Sequence, residues 1–282
     1  MSADNVSSIR IGIAGDMHFG GNSNEFGTAK LWAKGTRRMN RLDVDILALA
    51  GDLSHEGKVP QLEIAGRVFT KNFEGEVIAV SGNHDLLLLD QSEVECYLNA
   101  SGINVLEGKA IVREKEDIRI GIIGFNGSVP KEIVKEGQSL PLSARITLYQ
   151  AVTNDLYIPA LRENIAYLEG EGVDGVLVLA HIPLTPKQYS DSTQHECHYE
   201  MTPEAEKLIE AMRSKKAMAS GHVHSSRRNP AWRMIDPWGM TDGETPVLNV
   251  AGQTAIQERR QVFEVVEFRK EGTVTNILRV MR

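Results

Sequence analysis

Cysteine is scarce in this sequence, which contains only Cys96 and Cys197 among 282 residues. The two lie far apart and outside any C-x-x-C spacing, so a disulfide framework is not predicted and a reducing compartment is favoured. No apolar run reaches the length that spans a bilayer. The polar N-terminal segment 1–8 also lacks the charged-then-apolar pattern of a signal peptide. We therefore expect a cytoplasmic protein with no membrane partner.

Positive charge is also in deficit, because 31 Lys and Arg residues face 38 Asp and Glu residues and give a formal net charge of -7. A protein that binds nucleic acid over a broad face usually carries the opposite balance. Nucleic acid is therefore not the expected partner. The 41% apolar and 24% charged fractions are those of an ordinary globular protein. The length suits one large α/β domain or two small ones.

Short apolar runs alternate with amphipathic stretches in the first part of the chain, which predicts strands alternating with helices. The first three predicted strands are Ile9–Ala14, Ile46–Ala50 and Glu76–Val80. Helices are predicted between them over 28–42 and 60–72. Each strand runs into a glycine-containing loop with polar residues, as at the carboxyl ends of strands in open α/β sheets.

The rest of the chain predicts a second group of strands. Segments 108–112 and 118–123 read as neighbouring antiparallel strands, and a long helix is predicted over 144–170. The further predicted elements are a strand over 175–180, a helix over 203–214, a strand over 217–220 and three short strands between 247 and 280. The predicted architecture is two mixed sheets packed face to face, with helices outside.

Most of the histidines follow apolar, strand-like runs. The five in such positions, out of eight in the chain, are His18, His84, His181, His222 and His224. The polar residues beside them are Asp16, Asp52, Asn83 and Asp85. Imidazole and carboxylate ligands without thiolate suit Mn, Fe, Zn or Ni better than an all-oxygen Ca or Mg site. The sequence therefore predicts a transition-metal site at the strand ends.

Spacing supports one shared site. Asp16 and His18 are two residues apart, as are His222 and His224. If each strand end stays extended, both members of a pair point the same way. A lone Asp-x-His or Gly-Asp is ordinary turn sequence. Five such blocks in order, each after an apolar strand, favour a single cleft over unrelated turns.

The full series resembles the calcineurin-like metallophosphoesterases. The blocks that carry the resemblance are Gly15-Asp16-Met17-His18, Gly51-Asp52, Gly82-Asn83-His84-Asp85, His181 and Gly221-His222-Val223-His224. The resemblance implies a single domain over 1–282 with an α/β fold, a four-layer αββα sandwich of two mixed β-sheets flanked by helices. It also implies hydrolysis of a phosphate ester by a hydroxide held between two metal ions.

The resemblance further implies a role for each residue of these blocks. One metal ion would be held by Asp16, His18 and His224. The other would be held by Asn83, His181 and His222. Asp52 would bridge the two, His84 would sit over the leaving group, and Asp85 would orient His84.

The substrate class is less sharply indicated. The stretches 51–85 and 176–186 look most like the phosphodiesterase branch of the superfamily, which favours a small or nucleotide-derived diester. A phosphomonoesterase acting on a nucleotide or phosphoprotein is the first alternative. A nuclease comes next, because His55 is similar to a histidine of the superfamily's repair nucleases. His55 also reads as a plain loop residue before a helix. A non-catalytic scaffold on the same fold is the last alternative.

Three segments, 126–141, 182–201 and 225–246, are expected to line the cleft because they follow ligand-bearing or neighbouring strands. The last contains Arg227, Arg228, Trp232, Arg233 and Trp238. Arginine and tryptophan suit a nucleotide pocket, but a long loop with packed tryptophans is the simpler interpretation. His195, Cys197 and His198 lack a fourth ligand, so a polar loop is favoured over another metal site.

Overall fold

The computed structural model describes residues 7–21, 25–182, 203–221, 247–249, 262–270 and 274–281. Several sequence predictions lie outside these described residues. They are the ligands His222 and His224, the group His195, Cys197 and His198, and the segments 183–201 and 225–246.

The described elements alternate between strands and helices along most of the chain. In order they are β1 (Ser8–Ala14), α1 (Glu25–Asn40), β2 (Ile46–Ala50), α2 (Val59–Thr70), β3 (Glu76–Val80), α3 (Gln91–Ala100), β4 (Asn104–Val105), β5 (Lys109–Lys115), β6 (Ile118–Phe125), α4 (Lys131–Gln138), α5 (Leu142–Glu171), β7 (Gly175–Ala180), α6 (Pro203–Ala211), β8 (Lys215–Ser220), β9 (Val247–Asn249), β10 (Val262–Arg269) and β11 (Val274–Met281).

These strands form two mixed sheets. The first has the order β11-β10-β1-β2-β3-β4, with β1 to β4 parallel and β10 antiparallel to both of its neighbours. The second has the order β5-β6-β7-β8-β9, with only β5 antiparallel to its neighbour. The predicted antiparallel pairing across residues 114–117 is confirmed.

Alternation along the strands explains how the layers pack. Ile9, Ile11 and Ile13 of β1 join a buried cluster with residues of β2, β3, β6, β7 and β8, which fills the space between the sheets. Leu47 and Leu49 of β2 point to the opposite face, where they pack with residues from α1, α2 and α3. Successive side chains of a strand face opposite sides, so each sheet can serve two cores.

The outer face of the second sheet is covered by α5 and α6. Val176 and Val178 of β7 pack there with Leu161 and Leu168 of α5 and Ile209 of α6. The arrangement is two mixed sheets flanked by helices, and the predicted four-layer fold class is confirmed. Within the described ranges no helix, α5 included, combines the length and apolar character needed to cross a bilayer.

Two short helices were not predicted from the sequence. α3 begins with a capping box in which Asp90 accepts from the Glu93 backbone N–H, and the Glu93 side chain accepts from the Asp90 N–H. This D-x-x-E pattern marks a helix start in the sequence. The apolar periodicity of α3 is weak, since Val94 and Leu98 are its only buried residues. α4 lies inside the segment 126–141, which was expected to line the cleft.

Candidate metal centre

The predicted site residues that the structure describes meet at one edge of the two sheets. Asp16 and His18 follow β1, and Asp52 follows β2. The Asn83-His84-Asp85 block follows β3, and His181 follows β7 directly. β7 belongs to the second sheet, yet His181 Nε2 lies 3.4 Å from Asp52 Oδ1. Both sheets therefore contribute to one cluster at the carboxyl ends of their parallel strands.

Asp52 lies at the centre of this cluster. It is 1% exposed, and its two oxygens face different imidazoles. Oδ2 lies 3.5 Å from His18 Nε2, while Oδ1 lies 3.4 Å from His181 Nε2. A carboxylate that presents one oxygen to each of two nitrogen ligands has the arrangement needed to bridge two cations.

His181 is held so that one ring nitrogen is directed at the cluster. Its Nδ1 lies 2.8 Å from the Ala50 carbonyl oxygen, so Nδ1 carries the proton and donates. The lone pair of Nε2 then points toward Asn83 Oδ1, 2.9 Å away. Histidine ligands of metals usually donate their second N–H to a backbone carbonyl in this way. Electron-pair donors that converge on one point fit a bound cation.

The buried negative charge of the site also indicates a bound cation. Asp16, Asp52 and His181 are all buried and offer ligand atoms within 4.8 Å of one another. Two buried carboxylates this close repel each other, and their burial is costly without positive charge nearby. Nitrogen and oxygen donors of this kind fit Mn, Fe, Zn or Ni. The described residues therefore fit the metal ions that the sequence predicts.

The backbone conformation at the ligand residues differs from the extended one that the sequence predicts. Asp16, His18 and Asp52 have φ values of 53°, 47° and 52°, which is the left-handed region. The expectation of an extended Asp16–His18 segment is therefore wrong. The loop after β1 instead curls onto the loop after β2, where the His18 N–H donates to the Asp52 carbonyl at 2.8 Å. Strained backbone of this kind clusters at functional sites.

Two glycines leave room for the ligands. A Cβ at Gly82 would lie 2.1 Å from Asp52 Oδ1, and a Cβ at Gly51 would lie 2.6 Å from His181 Nδ1. Gly51 also has a φ of 81°, which favours glycine. Any side chain at either position would displace a candidate ligand, so the Gly-Asp and Gly-Asn pairs are required by close packing.

Asp85 does not orient His84, and this prediction is wrong. The Asp85 carboxylate is fully buried and turns inward, toward the loop after β2. Oδ1 accepts from the Ser54 N–H and hydroxyl, and Oδ2 accepts from the N–H groups of Leu53 and Gly82. Burial raises the pKa of Asp85, whereas these hydrogen bonds favour its charged form. Backbone donors in a buried turn need an acceptor, and Asp85 supplies it.

Asp85→Asn is expected to lower the free energy of unfolding by about 2–3 kcal/mol, because the new amide group must face N–H donors on one side. Urea unfolding measures the loss. Asp155→Asn, at an exposed position of α5, is the matched control and should unfold like the parent. An Asp85→Asn variant as stable as this control would show that the four hydrogen bonds contribute little.

His84 is oriented by backbone groups. Its Nδ1 lies 2.7 Å from the His55 carbonyl oxygen and donates to it, and its own N–H donates to Asp52 Oδ1 at 2.9 Å. The ring packs edge-on against His18, with centroids 4.6 Å apart. With Nδ1 committed to a carbonyl, Nε2 is the nitrogen available to a substrate.

His55 belongs to the same group of rings, although the sequence left its role open. Its imidazole stacks on that of His84 with centroids 5.3 Å apart, and meets His18 edge-on at 5.5 Å. The three histidines also offer ligand atoms within 4.8 Å of one another. The Asp52-x-x-His55 spacing at the end of β2 was the sequence signal for this position.

Comparison with known proteins identifies the family. The family model described as calcineurin-like phosphoesterase matches residues 9–226, most of the chain. The chain therefore belongs to the calcineurin-like phosphoesterase family. A search of curated protein sequences gives no match.

Solved structures show the same fold at low sequence identity. A dimetal phosphatase from Danio rerio is 12% identical with a TM-score of 0.57, covering 97% of this chain and 98% of its own. The phosphopantetheinyl hydrolase of Mycobacterium tuberculosis is 12% identical with a TM-score of 0.56, covering 97% of both chains. The Haemophilus influenzae NAD nucleotidase is 14% identical with a TM-score of 0.53 and is matched over 98% of this chain. This chain spans only 56% of the nucleotidase.

Proposed function

We propose that this protein is a dinuclear metal-dependent phosphodiesterase acting on a small diester. The observation that carries the proposal is the placement of Asp52 between His18 and His181, one carboxylate oxygen toward each. Asp16 and His18 would hold one ion, and Asn83 and His181 the other. Together with His222 and His224, which lie outside the described residues, these form the proposed ligand set.

The chemistry follows from this arrangement. When bound, the two ions supply Lewis acidity toward phosphoryl oxygens and lower the pKa of a coordinated water. Asp52 would supply negative charge to both ions, which would reduce the repulsion between them. In the neutral tautomer that donates from Nδ1 to the Ala50 carbonyl, His181 has the lone pair of Nε2 aimed at the site.

His84 would serve the leaving group. Its Nδ1–H is fixed on the His55 carbonyl, which directs the ring and leaves Nε2 to carry a proton to the departing oxygen. An imidazole can hold a proton on one ring nitrogen and release it to a departing oxygen, which suits this transfer. Asp85 would act only as a positioning residue, because it joins the loop of Asp52 to the loop of Asn83 and His84.

A diester is favoured over a monoester by the space beside Asn83. A cavity of about 810 Å³ includes Asn83 in its lining, which otherwise consists mainly of leucine and other uncharged side chains. The ester group that is not cleaved has a place there, while the leaving group faces His84; the only ester group of a monoester is its leaving group. The names of the structural neighbours include a phosphatase and a nucleotidase, so a phosphomonoesterase is the second candidate.

The deciding measurement compares bis-p-nitrophenyl phosphate with p-nitrophenyl phosphate in the presence of Mn²⁺. We expect kcat/KM for the diester to be at least about tenfold higher, a difference of roughly 1.4 kcal/mol in barrier. The activity should disappear when metal is removed by a chelator and return when Mn²⁺ is added. A clear monoester preference would instead establish the phosphomonoesterase.

A further inference from the structure

The cavity beside Asn83 has three walls that no ligand assignment uses. One is the leucine run 86–89 that follows the His84 loop, and another is segment 123–134, which runs from the end of β6 into α4. The third is one face of α5, including Leu156 and Ala160. A volume of about 810 Å³ lies within the range of small-molecule sites.

The apolar part of the cavity is open to ligands. Leu87, Leu88 and Leu156 line it and are 45%, 63% and 49% exposed, three of the five most exposed large apolar side chains in the described residues. Apolar side chains grouped around a concave opening mark a binding surface. They favour an ester group with several methylene carbons.

The polar part of the cavity is internally hydrogen-bonded and also contains two buried polar atoms that have no partner among the described residues. Asn126 donates to Gln91 Oε1 at 3.2 Å, and the Tyr157 hydroxyl lies 2.6 Å from Asn126 Oδ1. Ser128 is 5% exposed, and its hydroxyl makes no hydrogen bond to any described residue. Gln91 Nε2 is likewise without a partner in the described part of the chain. Buried polar atoms like these suit a ligand with a hydroxyl or carbonyl group.

The charge of the lining selects against anions. Asp90, Glu93, Glu107 and Glu132 line the cavity, against the single basic residue Lys131. Burial raises the pKa of Glu107 to about 7, so this carboxyl is charged only in part at neutral pH. The other three carboxylates are exposed but still outnumber the lysine, so an anionic group would be disfavoured, most strongly at low ionic strength.

We infer that this cavity binds the second ester group of the substrate, and that this group is elongated, mainly apolar and uncharged or cationic. The inference rests on the proposed phosphodiesterase. It assigns to the cavity a class of substrate, namely phosphodiesters of medium-length neutral or amino alcohols. Diesters that carry a further phosphate or carboxylate would be poor substrates.

The test uses p-nitrophenyl diesters that differ only in the second ester group, namely methyl, hexyl, 5-carboxypentyl and 6-aminohexyl. In each case water adds to phosphorus as the bond to p-nitrophenolate breaks, and the proton is released to solvent. We expect kcat/KM for hexyl to exceed that for methyl by about tenfold or more, since each buried methylene adds binding. The carboxypentyl diester should fall to the methyl level or below, and the aminohexyl diester should not. Equal values for methyl and hexyl, or for hexyl and carboxypentyl, would overturn the inference.

Two substitutions on α5 test whether the cavity is the cause of the preference for hexyl over methyl. Leu156→Glu adds a carboxylate to the cavity and should reduce the hexyl-to-methyl ratio by about tenfold. Tyr167→Glu is the matched control, because Tyr167 is 48% exposed on the same helix and does not line the cavity. It should keep both the ratio and the rate of the parent. An unchanged ratio in Leu156→Glu would place the selectivity elsewhere.

A binding measurement distinguishes failure of this inference from failure of the proposed function. Calorimetric titration of the metal-loaded protein with hexylphosphonate and methylphosphonate needs no turnover. If no diester is hydrolysed, the phosphodiesterase proposal fails. The cavity assignment then still predicts about tenfold tighter binding of hexylphosphonate, lost in Leu156→Glu. Equal affinities would overturn it.

Discussion

Asp52→Asn is expected to lose bound metal and hydrolytic activity together, with kcat/KM on bis-p-nitrophenyl phosphate falling by about three orders of magnitude or more. Asp52 presents one oxygen toward His18 and the other toward His181. An amide keeps only one acceptor and no charge, so it cannot bridge two cations. The loss of several kcal/mol of transition-state stabilisation corresponds to this rate effect.

The measurement is metal content by plasma mass spectrometry beside the kinetics. Asp43→Asn is the matched control, because Asp43 shares the left-handed backbone with a φ of 51° but its side chain is 87% exposed. This control should keep full activity and full metal content. An Asp52→Asn protein that retains two ions per chain would contradict the bridging role.

His84→Ala is expected to keep its metal and lose about 10²–10⁴-fold in kcat, the usual contribution of a general acid. The loss should be largest for alkyl leaving groups, which need a proton, and smallest for p-nitrophenolate, which leaves readily. The comparison of methyl and p-nitrophenyl leaving groups in the same variant measures this difference. A variant that expels alkoxide as fast as the parent would show that His84 is not the acid.

His55→Ala tests whether the stacked His55 ring takes part in the proton transfer from His84. It removes the ring stacked on His84 but keeps the carbonyl that accepts from His84 Nδ1. His84 should therefore stay oriented, and the loss in kcat should be smaller and similar for both leaving groups. If the loss in kcat of His55→Ala depended on the leaving group as strongly as that of His84→Ala, the proton transfer would be assigned to His55 and His84 together.

The strands could be predicted closely because their sequences leave little choice. β2, β3 and β7 begin and end at the predicted residues, since each is an almost fully buried apolar run between polar loops. α3 and α4 were missed because so few of their residues are buried. Periodicity detects a helix by its buried face, and these helices bury little.

Part of the candidate site could be predicted from residue types, whereas its backbone geometry could not. The order of the polar blocks placed Asp16, Asp52 and His181 together, as the structure does. The two-residue spacing of Asp16 and His18 suggested an extended backbone, which the left-handed turn replaces. Three of the four hydrogen bonds to Asp85 come from backbone N–H groups, which nearly every residue type shares, so no sequence pattern could indicate them. The single domain over 1–282 stays a prediction.

The loops that carry the ligands are joined to one another by hydrogen bonds of their own. The Phe19 N–H donates to the Leu53 carbonyl at 2.9 Å and the His55 N–H donates to the Phe19 carbonyl at 3.0 Å, while Asp85 joins the next loop to these two. Because these hydrogen bonds help to hold the donors in position, folding offsets part of the chain entropy lost in ordering the loops, and less of that cost falls on cation binding.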